Sequence, residues 1–193
     1  RESFVHGLSF LYPCENWFLY MIANIPISII QEKNLNAIYE TERQLRTPVA
    51  FCSQNALVIQ SLLRHYNIEF SSMAVGDSSS GHFASAAKIN GDWYYLDGNI
   101  EYNLINNELT KLNDFLDPNN EKLINKMFSF RPDFAKSIIN GVKTGETYQF
   151  DINQIQAKKI LLFQKFTKII SNFGWLLFLI IYFITFIYKN YSK

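Results

Sequence analysis

The sequence predicts a helix laid against an antiparallel sheet, followed by a separate apolar helix of membrane length. Three observations carry this. An amphipathic helical pattern begins at Cys52, the Asn90-Gly91 pair divides two strand-like runs, and residues 169–188 carry no charge.

The N-terminal stretch FVHGLSFLYPCENWFLYMIANIPISII is apolar but interrupted by Pro13, Glu15, Asn16, Asn24 and Pro26. Its longest clean run, Trp17 to Ile30, is shorter than the roughly 20 residues a membrane span needs. A core or interface helix packed on the Cys52 layer is expected, with a broken membrane segment as the alternative. His6 and Cys14 lack metal-ligand spacing.

Thr47 and Pro48 end any preceding helix. Beyond them, CSQNALVIQSLLRHY places Ala56, Ile59 and Leu63 four, seven and eleven residues after Cys52, one apolar stripe leading back to the sulfur. A cysteine at a helix N-terminus lies near unpaired backbone N–H groups and the positive end of the dipole, which favours the thiolate. The same amides can hold an oxyanion. The competing reading is a small buried hydrophobe. His65, at the end of this pattern, suits the C-terminal dipole and needs no further role.

Next, GDSSSG at 76–81 reads as a flexible loop beside a substrate cleft, with no GK[ST] to make it a phosphate loop. Asn-Gly at 90–91 favours a two-residue type I′ turn. With Ile89 opposite Asp92, Ala84 faces Asp97 and His82 faces Asn99, so all four side chains share one side of the sheet. His82 and Asp97 are then diagonal neighbours, Cβ atoms about 7–8 Å apart, within reach of an imidazole–carboxylate bond. The acid would fix the tautomer and leave the other ring nitrogen for the thiol. The small residues Ala84, Ser85, Ala86 and Ala87 leave room for a helix to lie close.

The order of these residues, FCSQNALVIQSLLRHYNIEF followed by GHFASAAKINGDWYYLDG, resembles the transglutaminase-like branch of the papain-type cysteine enzymes over about residues 45 to 100. The resemblance implies an α+β, papain-like core with the catalytic helix packed on an antiparallel sheet. By resemblance Cys52 is the nucleophile, His82 the general base and acid, and Asp97 the orienting carboxylate. It also calls for a further oxyanion donor, for which Trp17 and Gln44 are the candidates. Ala50 and Ala84 stand where the family usually has a glycine and often an aromatic.

Beyond Asn99 the chain turns polar and asparagine-rich. LDPNNEKLINKMFSF reads as a loop with Pro118 opening a short helix, RPDFAKSIINGV as a helix closed by Gly141, and KTGETYQFDINQIQ as a strand or extended connector. From Gln154 helical spacing runs into the span.

IISNFGWLLFLIIYFITFIY, residues 169–188, reaches roughly 30 Å, the thickness of a bilayer's hydrocarbon core. Trp175 and Tyr188 suit its two interfaces. The expected division is a domain over 1–150 with its core at 45–100, a basic connector at 151–168, a transmembrane helix at 169–188 and a tail at 189–193. Residues 1–150 hold 12 Lys plus Arg against 16 Asp plus Glu, and residues 151–193 six Lys against one Asp, so the basic end suits lipid headgroups. A whole-chain charge of +1 offers no phosphate-tracking surface, which excludes nucleic acid as a partner. Lysines outnumber on the domain side of the span, which favours a cytoplasmic domain, but a whole domain can override that rule, so the side stays open. Because the chain begins at Arg1, a preceding segment is expected. Cys14 and Cys52 make one pair at most, too few for a disulfide framework.

The expected function is a membrane-anchored cysteine enzyme acting on a peptide or protein amide through a thioester, with hydrolysis (peptidase or amidase) favoured over transfer to an amine. No cofactor and no metal is expected. The alternative is a non-catalytic papain-fold subunit that joins a membrane complex, motivated by Ala50 and Ala84.

Overall fold

Two tight turns build the sheet. Asn90 and Gly91 both take positive φ, 52° and 92°, as a type I′ turn requires, and fold β4 (Ser80–Ile89) onto β5 (Asp92–Leu96) with Ile89 opposite Asp92. The second turn joins β3 (Phe70–Asp77) to β4 through Ser78 and Ser79, Asp77 facing Ser80. The expected flexible loop at 76–81 is therefore a hairpin. Its turn closes because the Asp77 carboxylate accepts the Ser79 N–H at 3.0 Å, a local bond aspartate forms readily.

This computed structural model describes residues 5–25, 35–47, 49–98, 109–155 and 157–191. The fold is α+β. A four-stranded antiparallel sheet runs β5-β4-β3-β6, with β6 at Tyr148–Ile152, where a strand or connector was expected. A parallel pair, β1 (Val5–His6) and β2 (Val49–Ala50), leads into the helix that begins at Cys52. The chain divides into two units, Arg1–Leu8 with Tyr39–Gln156, and Ser9–Ile38 with Ala157–Lys193. The division expected near 150 thus has an addition: Ser9–Ile38 groups with the C-terminal helix.

In the first unit, helices cover both faces of the sheet because its strands alternate. Met73, Val75, Ala84, Ala86 and Tyr95 point to one face and form the main apolar core. They meet three helices of the chain's later part, described below. Ser72 and Ser85, of opposite parity, point to the other face, where Gln60 Nε2 lies 3.1 Å from each hydroxyl. Gln60 belongs to the Cys52 helix, Cys52–His65. Ala84 and Ala86 therefore do not make room for this helix, as expected; they face the opposite layer, and Ser85 lies under the helix.

Numbered in chain order, the helices are α1 (Trp17–Ala23), α2 (Thr41–Gln44), α3 (Cys52–His65), α4 (Leu112–Phe115), α5 (Glu121–Met127), α6 (Pro132–Thr144) and α7 (Lys158–Tyr191). The α5 helix starts three residues after Pro118, since the Asp117 carboxylate accepts the Asn119 N–H at 2.9 Å and holds a turn there. Proline at the first position opens α6, where its missing N–H costs nothing. Gly141 does not close that helix. A Cβ there would lie 2.0 Å from the Gly76 carbonyl oxygen, so the glycine permits close approach of α6 to β3. The left-handed residue that ends the helix is Gly145, φ 77°.

In the second unit, α1 packs along α7, where packing on the Cys52 layer was expected. Asn16 caps α1 by accepting the Leu19 N–H at 3.1 Å and also reaches across to α7. The α7 helix runs unbroken through most of the expected connector and all of the expected span. It is long and apolar enough to cross a membrane; its most apolar 18-residue stretch has a mean hydropathy of 2.1 and is not buried.

Candidate active site

Cys52 is the first residue of α3, delivered there by β2. Phe51 precedes the helix in extended conformation, and its N–H donates to Gln54 Oε1 at 3.0 Å, half of a capping box. As the first helical residue, Cys52 has a backbone N–H without an intrahelical acceptor.

The register placing His82 beside Asp97 follows the count from the turn. Ser85 pairs with Leu96, which continues to Ala84 opposite Asp97; Asn99, expected opposite His82, lies outside the described residues. The His82 Nε2 lies 2.5 Å from Asp97 Oδ2. Asp97 is 3% exposed. The ring is held from its sides by Phe134 and Phe128, edge to face, with centroids 5.1 and 6.4 Å away. With Nε2 on the carboxylate, Nδ1 is left for the thiol.

The His82 imidazole and the backbone N–H groups of Phe83 and Ser53 lie close enough to the Cys52 sulfur to act on its ionisation. Strand geometry explains the approach of Phe83. In a two-residue hairpin the hydrogen-bonded positions alternate outward from Ile89 and Asp92, so Phe83 directs its N–H toward the β5 side. Since β5 stops at Leu96, that N–H is open to the sulfur. The chain then passes close over α3 at Gly98, where a Cβ would lie 3.3 Å from the Asn55 Cβ.

These contacts set the proton distribution. Burial raises the Cys52 thiol, but the hydrogen bond and charge of His82, with the Phe83 and Ser53 N–H groups, outweigh it and leave the thiol below its ordinary value. Burial lowers His82, but hydrogen bonds to Asp97 and Cys52 and their charges together hold it up at about 9. A thiolate–imidazolium pair is the resting state this favours.

Tyr95 is a functional candidate that the sequence reading missed. Its hydroxyl donates to Asp97 Oδ2 at 3.1 Å, and its ring stacks on Phe115 with centroids 4.0 Å apart. The signal was present in WYYLD: two residues before the acid, on the same face of the strand. Gln44 is buried, and its Nε2 donates to the Val49 carbonyl at 2.8 Å, so it fixes the strand that delivers Cys52. Trp17 lies in the second unit, where its indole N–H donates to the Ser171 carbonyl at 2.9 Å. An indole has only that one donor, so the expected oxyanion role is not assigned to it.

A cleft of about 340 Å³ is lined by Gly76, Asp77, Gly81, His82, Glu146 and Tyr148 among others. Of the 76–81 segment, Gly76, Asp77, Ser78 and Gly81 line it. Hydrogen bonds from Ser79 and Ser137 hold the Asp77 carboxyl well below the usual carboxylate range. Among the described residues, no group of three or more His, Cys, Asp or Glu side chains could hold a metal. Comparison with family models, with curated proteins and with solved structures found no match.

Proposed function

We propose that the chain is a membrane-anchored, transglutaminase-like cysteine enzyme of papain-type architecture that cleaves or transfers an amide acyl group. The observation that carries this is the row Cys52–His82–Asp97, in which the imidazole is bonded to the acid and lies beside a sulfur at a helix start. The Cys52 thiolate attacks the amide carbonyl carbon and its charge moves to the oxygen, near the Cys52 N–H. The oxyanion collapses to a thioester as the C–N bond breaks, and the His82 imidazolium gives its proton to the departing amine. Neutral His82 then takes a proton from water, or from an acceptor amine, as that group attacks the thioester and releases the thiolate. Hydrolysis is the favoured outcome. Asp97 keeps the ring oriented throughout, and α7 holds the protein at a bilayer as a single-pass anchor.

The test is thiol alkylation of the detergent-solubilised full chain near pH 6, with exposed Cys14 as internal reference. Cys52 is expected to react at least about tenfold faster than Cys14, and His82→Ala to abolish that advantage. Labelling of Cys52 no faster than Cys14 would sink the enzyme reading. The low exposure of Cys52, 6%, favours the second reading, a non-catalytic subunit of a membrane complex. The same experiment separates the two.

A further inference from the structure

Between α1 and α7 the second unit buries hydrogen-bonded polar groups beside Leu19, and the exposed side of α1 is apolar. Asn16 is only 2% exposed. Its amide N–H groups donate to the Gln164 carbonyl at 3.2 Å and to Thr167 Oγ1 at 2.9 Å. Its carbonyl accepts the Leu19 N–H at 3.1 Å and the Ser171 hydroxyl at 2.8 Å. Every hydrogen-bonding position of that side chain is used. The outward side of α1 carries Trp17, Tyr20 and Met21, which are 37%, 40% and 53% exposed. No charged residue occurs between Trp17 and Ile25.

A helix pair facing water has the reverse order, apolar between the helices and charged outside. Hydrocarbon selects the order seen here, because backbone and side-chain polar groups find no water and must pair within the protein. Asn, Thr, Ser and Gln between helices and glycine at the contact are the means by which such helices associate.

The depth of α1 follows from what it touches. The Trp17 indole bonds to the Ser171 carbonyl, and the Phe18 N–H donates to the Ser171 hydroxyl at 3.0 Å. At Gly174 a Cβ would lie 3.8 Å from the Trp17 ring, so the indole lies directly against α7. Ser171 and Gly174 belong to the first turns of the uncharged run 169–188. If that run enters the bilayer, α1 enters with it, at the level where Trp and Tyr rings concentrate.

We propose that α1 is a second membrane element, a short helix lodged at the boundary of headgroups and acyl chains beside the entry of α7. Its Trp17–Tyr20–Met21 side contacts bilayer lipid. The proposal rests on reading α7 as a span, and its test keeps the two apart. Three single-tryptophan forms of the full chain, retaining Trp17, Trp93 or Trp175 with the other two changed to Phe, are reconstituted in phosphatidylcholine vesicles. The lipids are brominated either near the headgroup or near the chain end.

Trp17 emission is expected to be lost to the headgroup-proximal bromines more than to the deep ones, and Trp93 emission to be unaffected. Quenching of Trp175 without Trp17 overturns the proposal while leaving the span intact; the Trp17 surface would then face water or another protein. Quenching of neither overturns the span reading and this one with it. A nitroxide placed by Met21→Cys in a Cys14→Ser, Cys52→Ala background gives an independent reading. Greater collision with oxygen than with a water-soluble nickel complex is expected, and the opposite order overturns the proposal.

Discussion

Between Cys52 and His82 one proton is held on the imidazole, and this has a signed consequence for stability. The His82 contribution is fully present below its ordinary value of 6.5 and is lost as the pH rises through about 9. The Cys52 contribution runs the other way, present above the ordinary thiol range, about 8.5, and lost as the pH falls through its depressed value. The two contributions have opposite slopes and offset each other where their ranges overlap. In Cys52→Ala only the His82 part remains. Thermal unfolding of that variant is expected to show stability falling, relative to wild type, as the pH rises above 6.5; parallel curves would refute the ion pair. Tyr95→Phe keeps the stack on Phe115 but removes the donor to Asp97. A loss of about 1.5–3 kcal/mol is expected from denaturant unfolding, the range for hydrogen bonds to charged groups.

Two glycines of α6 separate packing from backbone conformation at the scale of an element. Gly141→Ala pushes a methyl group against the Gly76 carbonyl of β3, backbone on backbone, with no flexible atom to yield. A loss of about 3 kcal/mol is expected. Gly145→Ala meets open space but must keep φ at 77°, which costs about 1 kcal/mol. Equal losses in the two variants, measured by chemical denaturation, would contradict the close approach of α6 to β3. On the other face, α3 rests on the sheet through Gln60, Ser72 and Ser85, a polar contact that allows a short distance between helix and strand.

For the whole molecule, α7 is long and apolar enough to cross a membrane, and the proposed anchoring is tested there. Arginine near the centre of a span costs about 2.5–3.5 kcal/mol per residue on insertion scales. Replacing Leu179 and Ile180 together by Arg is expected to move the full chain from the membrane pellet to the supernatant in a sedimentation assay. Retention in the pellet would count against insertion. The expected division of the chain at about 150 fell short because Ser9–Ile38 joins α7 through Asn16 and Trp17, about 150 positions away in sequence. No periodicity within either segment carries that pairing.

Local rules made the strand register and the apolar helix legible. Asn90-Gly91 dictates a type I′ turn through positive φ, and counting outward from it is enough to bring His82 to Asp97. Length and absence of charge are enough to mark residues 169–188 as able to cross a bilayer. These determinations depend on neighbours a few residues apart, where sterics and periodicity act. The tertiary structure alone decided that Nε2 meets the acid, that Phe83 offers its N–H to the sulfur, that Gly141 faces β3, and that Trp17 belongs with α7. Each of these joins groups far apart in the chain, and close packing selects such partners only once every layer is in place.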